Sequence, residues 1–421
     1  MIKNKPSFFS NINIIFITLA LVILRLYFVI GTPYYMGSIP IYLVILFFVT
    51  SPKLIKTISS DKLLLSMLGV LVSIILTLTM SGYYSYNISN YVLLISVIFF
   101  LPLLKISQNR LNNKQKNIIT FLVITVITIT AITTIMGLEI YPNATRMYAI
   151  STSIYGIREG VAITSLYRKL GIADYSVTYS FAILFPLFIY LARINKSKNR
   201  KLYILYVIVS LIVFYAVFKA SVVIILISIL FSAILLIYTK NIKYSIIMLI
   251  ILSVLSLYIF KPLFVDLLQF IANKNIGNNI VSLKAAAISD NLTFEKEEGG
   301  IYSRTVLYML SLKTFLQNPI FGGGKYGVYG GHSIILDFIA YYGMFITVPV
   351  FILISSFYKR YCSILTGYSK FTYQVAFLSF VFISIAKGGS TFAFFFSILY
   401  IVPFLLIHQQ KKQIRHNISP N

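Results

Sequence analysis

The chain has few acids, few histidines and almost no cysteine. Against 36 Lys and Arg stand only 10 Asp and Glu, three His and one Cys in 421 residues. Each scarcity excludes something. The single cysteine, Cys362, cannot form an internal disulfide, so any exported loop must hold its shape by other means. The acids of "TFEKEEGG" cluster in a polar turn without histidine, which reads as a solvated face rather than a ligand set. No metal site and no cofactor is expected. Charged residues make up 11% of the chain while hydrophobic ones reach 58%, more than the core of a water-soluble protein can hide. Tandem repeats, low-complexity tracts and a separable soluble domain are also missing.

What is present is a series of apolar runs. A hydrocarbon core of roughly 30 Å needs about 20 apolar residues per helix. The chain offers about twelve such runs, near 12–30, 39–50, 63–80, 91–104, 118–137, 175–192, 202–218, 220–238, 244–260, 333–356, 371–386 and 389–407. The expected fold class is all-α, a polytopic membrane protein of about 12 transmembrane helices forming one integral membrane domain over 1–421. The start, "MIKNKPSFFSNINIIFITLALVILRLYFVIG", has the basic head of a signal peptide, but its apolar run is too long and no small-residue cleavage site follows. It is expected to stay as the first helix, with Arg25 snorkelling near that helix's end.

The formal charge of +26 resembles a nucleic-acid signal until it is mapped onto the runs. Of the 36 Lys and Arg, 22 fall in every second connection, from "MIKNK" through "KISQNRLNNKQK" and "RINKSKNRK" to "KKQIR". The intervening short connections "GTPYYMGS" and "SGYYSYNISN" carry none. That is the positive-inside pattern, with both termini in the cytoplasm and no nucleic-acid partner.

Two long connections then face outward, 138–173 and 261–331. In the first, Arg146, Arg158 and Arg168 break the charge rule for an exported loop of this length. They serve either substrate anions or lipid headgroups and loop acids. The second reads as an acidic turn, an amphipathic helix over 302–317, a stop at Pro319 and the stretch "GGGKYGVYGGHS". A phosphate-binding loop is excluded there, because no Ser or Thr follows the lysine and no strand-to-helix unit precedes it. The glycines either form a tight turn that lets helix backbones approach, or offer N–H groups to an anionic or sugar ligand beside His332.

The residues "SRTVLYMLSLKTFLQNPIFGGGKYGVYGGHSIILDFIAYYGMF" resemble the signature of the bacterial O-antigen polymerase and O-antigen ligase superfamily. The matched positions are Arg304, Asn318, Pro319, Gly322, Gly324, His332, Leu336 and Gly343, with Ser333 where the family often has asparagine. "RKLGIADYSVTYSFAILFPLF" is similar to a second family segment, at Arg168 and Gly171. "VFKASVVIILISIL" resembles a third, with Lys219 in place of the family's arginine, which keeps the charge but loses the bidentate fork.

The resemblance implies a polytopic glycosyltransferase of the lipid-carrier type, similar in class to the type C enzymes. Its donor would be a polyprenyl-pyrophosphate-linked oligosaccharide, attacked at the anomeric carbon by an acceptor sugar hydroxyl, without metal. It also implies roles for individual residues. Arg304 would contact pyrophosphate from a helix start, or else pair the "EKEE" acids. Lys219, Arg168, Arg158, Arg146 and Lys325 would add cationic contacts to pyrophosphate or glycan. His332 would accept the proton of the attacking hydroxyl, since an unperturbed imidazole with a pKa of about 6.5 is largely neutral at physiological pH. Asp337 would orient a positive group or bond to a neighbouring helix. Expected partners are the lipid-linked donor and acceptor, membrane lipid, and a flippase and chain-length regulator of the same pathway. Two alternatives stand beside the polymerase: a ligase transferring glycan to lipid-A core, and a flippase or transporter. Charges and helix breaks near the bilayer midplane would favour the transporter.

Overall fold

The computed structural model describes residues 69–76, 103–105, 107–197, 199–220, 229, 232, 301–324, 327–331, 333–386 and 392–418. Side chains of 146–157, 176, 301–306, 386, 392–393 and 415–418 within these are not described. Every regular element among the described residues is helical. They are α1 (Asn113–Ile140), α2 (Ala144–Lys169), α3 (Tyr175–Asn195), α4 (Arg200–Lys219), α5 (Ile301–Gln317), α6 (Ile334–Ile364), α7 (Gly367–Ala386) and α8 (Phe392–Phe396). A π-helical turn, Ser397–Ile401, joins α8 to α9 (Val402–Ile418).

The protein is an all-helical, multi-pass membrane protein. Five segments are long and apolar enough to cross a bilayer: Asn113–Ile140, Val177–Asn195, Arg200–Lys219, Ile334–Ile364 and Phe394–Ile414. Large apolar side chains such as Phe121, Met136 and Leu211 stand on the outside, 69%, 63% and 62% exposed. A surface of that kind suits lipid and would aggregate in water. The expected spans 12–30, 39–50, 63–80, 91–104, 220–238 and 244–260 lie wholly or mostly outside the described residues, as does 261–300 of the second long connection.

α3 is the centre. Its residues Phe181, Ala182, Ile183, Leu184, Leu187, Phe188 and Leu191 are fully buried, the pattern of a helix apolar on all sides. It packs on α2, α4, α7, α8 and α9, while α1 packs on α4, α6 on α7 and α5 on α6. Aromatic rings fill the seams: Tyr179 against Phe394 at 6.1 Å and Phe380 against Phe394 at 4.9 Å.

The stretch 138–173 departs from its expected form. It is mostly helix α2, which an apolar-run reading overlooks because Arg146, Arg158, Glu159 and Arg168 interrupt the pattern. Its C-terminus is fixed by local chemistry. Gly171 takes φ +72, its N–H bonds the Arg168 carbonyl at 3.0 Å, and the Ile172 N–H reaches the Tyr167 carbonyl at 3.1 Å. This is a Schellman cap, which needs glycine at the left-handed position. Asp174 then caps α3 by accepting from the Val177 N–H at 3.0 Å. Thr133 donates to the Gly171 carbonyl at 2.7 Å and Thr134 accepts from the Ala173 N–H at 2.9 Å, so the connection is stitched to α1.

These contacts sort the helix ends into two groups. At one end lie the C-termini of α1 and α4, the α2–α3 connection and the start of α6. At the other, Asn117 of α1 meets His408 of α9, and Arg193 of α3 sits 4.3 Å from the Tyr368 ring of α7. Lys105, Arg110, Lys114, Lys116, Lys196, Arg200, Lys201, Lys370, Lys411 and Lys412 belong to this second end, whereas Glu139, Asp174 and Asp337 belong to the first. The charge asymmetry read from sequence is therefore a property of the two faces of the bundle.

Candidate functional site

α5, the glycine stretch and the start of α6 form one unit, and the sequence dictates its two fixed points. The deeper one begins where Pro319 stops α5. The Gly322 N–H bonds the Asn318 carbonyl at 2.8 Å, and Gly322 turns through φ +76. The turn seats itself in a break within α6. Gly343, in the first third of that 31-residue helix, has φ 64 and ψ −178, a conformation open essentially to glycine alone. A break in an apolar helix strands backbone groups that lipid cannot satisfy. Here the turn takes them up: the Gly323 N–H donates to the Ala340 carbonyl at 2.8 Å, while Met344 and Phe345 N–H groups donate to the Pro319 and Ile320 carbonyls at 2.8 and 3.0 Å. The two backbones touch, since a Cβ on Gly343 would lie 2.3 Å from the Ile320 oxygen and one on Gly322 would lie 2.3 Å from the Tyr341 oxygen.

The second fixed point lies beside His332. Ser311, 1% exposed on α5, donates to Asp337 Oδ1 at 2.5 Å and accepts from the Gly330 N–H at 2.9 Å. Asp337 Oδ1 also accepts from the Gly331 N–H at 3.3 Å. One serine and one aspartate thus hold the glycine arm to both helices. Gly330 lies directly on the Leu307 carbonyl, where a Cβ would come within 2.1 Å. Thr314 bonds the Val328 carbonyl at 2.6 Å, and the Tyr329 hydroxyl bonds the Gly324 carbonyl. Ser333 caps α6 by accepting from the Leu336 N–H at 3.3 Å. Because Ser311 meets Asp337 and Ile320 meets Phe345, α5 and the first third of α6 run in the same direction, with the glycine arm returning between them.

His332 and Lys325 lie outside the described residues, but Gly331 and Ser333 on either side of the histidine are described. Arg304 sits in the first turn of α5, one turn before Leu307; its side chain, like that of Arg146 in α2, is not described. Asp337 bonds to the neighbouring helix through Ser311. Lys219 pairs with Glu139 at 2.6 Å at the far end of α1, and its ammonium stands 5.9 Å from the Tyr215 ring. Arg168 is half-buried in the last turn of α2 and Arg158 is exposed. The structure thus brings the Arg304 turn and the arm that carries His332 together, while Lys219 and Arg168 gather around the C-terminus of α1.

Sequence reading missed Ser311, Thr314 and the break at Gly343. A signal for the first two exists: Leu307, Ser311 and Thr314 recur at i, i+4 and i+7 and share one face of α5, which is the face that meets the arm.

An apolar cavity of about 260 Å³ opens immediately beyond Ser333, between α6 and α7. Ile334, Phe338, Phe351, Phe377, Phe380 and Phe395 shape it. Such a slot accepts hydrocarbon. Among the described residues, no group of three or more His, Cys, Asp or Glu is placed to hold a metal. No family model, no curated protein and no solved structure matches the chain.

Proposed function

We propose that the protein is a glycosyltransferase that polymerises polyprenyl-pyrophosphate-linked oligosaccharide repeat units into a surface polysaccharide, O-antigen or capsule, without metal. One observation carries the reading: the arm bearing His332 is pinned against the first turns of α5, which bear Arg304, at the mouth of an apolar cavity between α6 and α7. Those are the parts such a reaction needs, a cation for the leaving pyrophosphate, a base for the attacking hydroxyl and a slot for an isoprenoid tail.

In this reading the acceptor hydroxyl attacks the anomeric carbon while its proton passes to His332. The bond from that carbon to the pyrophosphate oxygen breaks with inversion, and Arg304 neutralises the charge left on the pyrophosphate. Asp337 and Ser311 act as positioning residues that fix the arm. The basic end of the bundle faces the cytoplasm of a bacterial inner membrane, with both termini there, and the glycine arm faces out. The helix break at Gly343 does not favour a transporter. A carrier uses such a break to present unwound carbonyls to an ion, whereas here the turn at Pro319–Gly323 engages them.

The test uses membranes containing the full chain and a lipid-linked repeat unit. His332→Ala at matched expression is expected to stop chain extension and accumulate single lipid-linked units, with a rate loss of about 100- to 10,000-fold for a missing general base. Arg304→Lys is expected to weaken activity although the charge remains, because the bidentate contact is lost. Long polymer at wild-type levels from His332→Ala overturns the catalytic role.

A further inference from the structure

At the opposite end of the bundle from the glycine arm, the N-terminus of α1 and the C-terminal helix α9 enclose a second cavity, of about 420 Å³. Its walls are polar and carry charge of one sign only. Lys116, His408, Lys411 and Lys412 line it together with Gln108 and four asparagines, and no carboxylate is among the lining residues.

Two of the basic groups are held rigidly. Lys116 is 7% exposed and donates from Nζ to the Gln108 carbonyl at 2.7 Å. His408 is 4% exposed, with Nε2 at 2.9 Å from Asn117 Oδ1. Gln108 is itself anchored, its Nε2 donating to the Phe404 carbonyl at 2.8 Å across to α9. Lys411 and Lys412 are exposed, on flexible stems at the rim. α1 begins at this cavity, with Asn112 as its cap in a reciprocal capping box with Gln115, so the positive end of a 28-residue helix adds to the same field.

Burying ammonium groups at one spot, without an acid in the wall, is costly unless an anion joins them. The asparagine amides are neutral donors that suit the remaining oxygens of a phosphate. The volume lies within the roughly 300–1,000 Å³ of small-molecule sites. Basic pockets between helices where a bundle leaves the membrane are suited to anionic headgroups.

We propose that this cavity is a binding site for a phosphate-bearing anion, supplied either by the headgroup of an anionic lipid or by a soluble phosphate compound. The site is separate from the glycine arm and does not depend on the activity proposed for it.

The experiment uses the full chain purified in detergent, with two probes: phosphatidylglycerol titrated against phosphatidylcholine and read by native mass spectrometry, and labelled inorganic pyrophosphate read by equilibrium binding. Three variants accompany the wild type. Lys411→Glu/Lys412→Glu changes only exposed positions; Lys116→Gln removes the buried charge; Lys196→Glu/Lys201→Glu reverses charge on the same face outside the cavity. Helical content by circular dichroism and a monodisperse elution profile establish that each variant is folded.

The expectation is saturable binding of at least one probe. Lys411→Glu/Lys412→Glu weakens it on the order of thirtyfold, at about 1 kcal/mol for each basic contact, and Lys196→Glu/Lys201→Glu leaves it within a factor of about two. Lipid binding lost in the rim variant identifies a headgroup as the source. Pyrophosphate binding lost in that variant identifies a soluble anion. Binding of neither probe, or equal losses from the rim variant and the outside control, overturns the proposal. Should Lys116→Gln fail to fold, the rim variant decides alone.

Discussion

The central helix α3 and the unit from α5 to the start of α6 are held by opposite means. α3 is regular, with side chains such as Phe181, Leu184 and Leu187 fully buried on every side. The α5–α6 unit is irregular, and its fixed points are backbone bonds at Gly323, Met344 and Phe345 together with the Ser311–Asp337 pair. In lipid, burying hydrocarbon against hydrocarbon gains little by itself, so a helix such as α3 depends on close packing. Non-helical backbone is tolerated at such depth only where protein satisfies it. The glycines therefore serve geometry: wherever the two backbones touch, a Cβ does not fit.

The strongest way to break this contrast is Gly343→Ala. The new Cβ would meet the Ile320 oxygen at 2.3 Å and the Gly322 nitrogen at 2.4 Å, on a residue at φ +64. Strain and overpacking together are expected to cost roughly 3 kcal/mol or more. Thermal unfolding of the detergent-purified protein, followed by elution profile, should show a large drop or no folded protein. Leu187→Ala in α3 is expected to rank second. It leaves a cavity, but lipid as the reference solvent shrinks the transfer part of the cost, so about 2 kcal/mol is expected, the low end of the range for buried leucines. A larger loss from Leu187→Ala than from Gly343→Ala would reverse the comparison.

Ser311→Ala is a finer cut through the same unit. It strands the Gly330 N–H and removes one donor from Asp337, an expected loss of about 1–3 kcal/mol. Combined with Asp337→Asn the losses should add to less than their sum, because both changes act on one network. Strict additivity would mean that the two residues do not hold the arm together.

The legibility of the chain divides along the same line. Apolar runs at 118–137, 175–192, 202–218, 333–356 and 371–386 correspond to α1, α3, α4, α6 and α7, since each is local and lipid-length. The amphipathic helix expected over 302–317 is α5 at Ile301–Gln317. Hydropathy could not reveal α2, whose charges interrupt the run, nor the π-helical turn at Ser397–Ile401, which changes only the hydrogen-bond register. The break at Gly343 was hidden for another reason. Its backbone partners, Pro319, Ile320 and Gly323, stand about twenty residues earlier, and only the fold brings them there. The glycines were conspicuous in sequence, and both uses open to them, tight approach and ligand contact, predicted the same composition; the close approach at Gly322, Gly330 and Gly343 is what the structure describes.

The smallest expected effect separates structure from function at the other cluster of site residues. Lys219 and Glu139 pair at 2.6 Å, but Glu139 is 59% exposed, and exposed pairs of this kind are worth about 0–1 kcal/mol. Glu139→Gln and Lys219→Gln should therefore lower thermal stability by similar, small amounts. Activity with a lipid-linked donor is where they should part. If Lys219 contacts the pyrophosphate, Lys219→Gln loses turnover, while Glu139→Gln keeps the ammonium and leaves it without that carboxylate, so turnover is retained or raised. If the pair only ties α4 to the end of α1, both variants behave alike in the assay. Equal, near-wild-type activity from the two would remove Lys219 from the site and leave Arg304 as the cation on which the proposed chemistry rests.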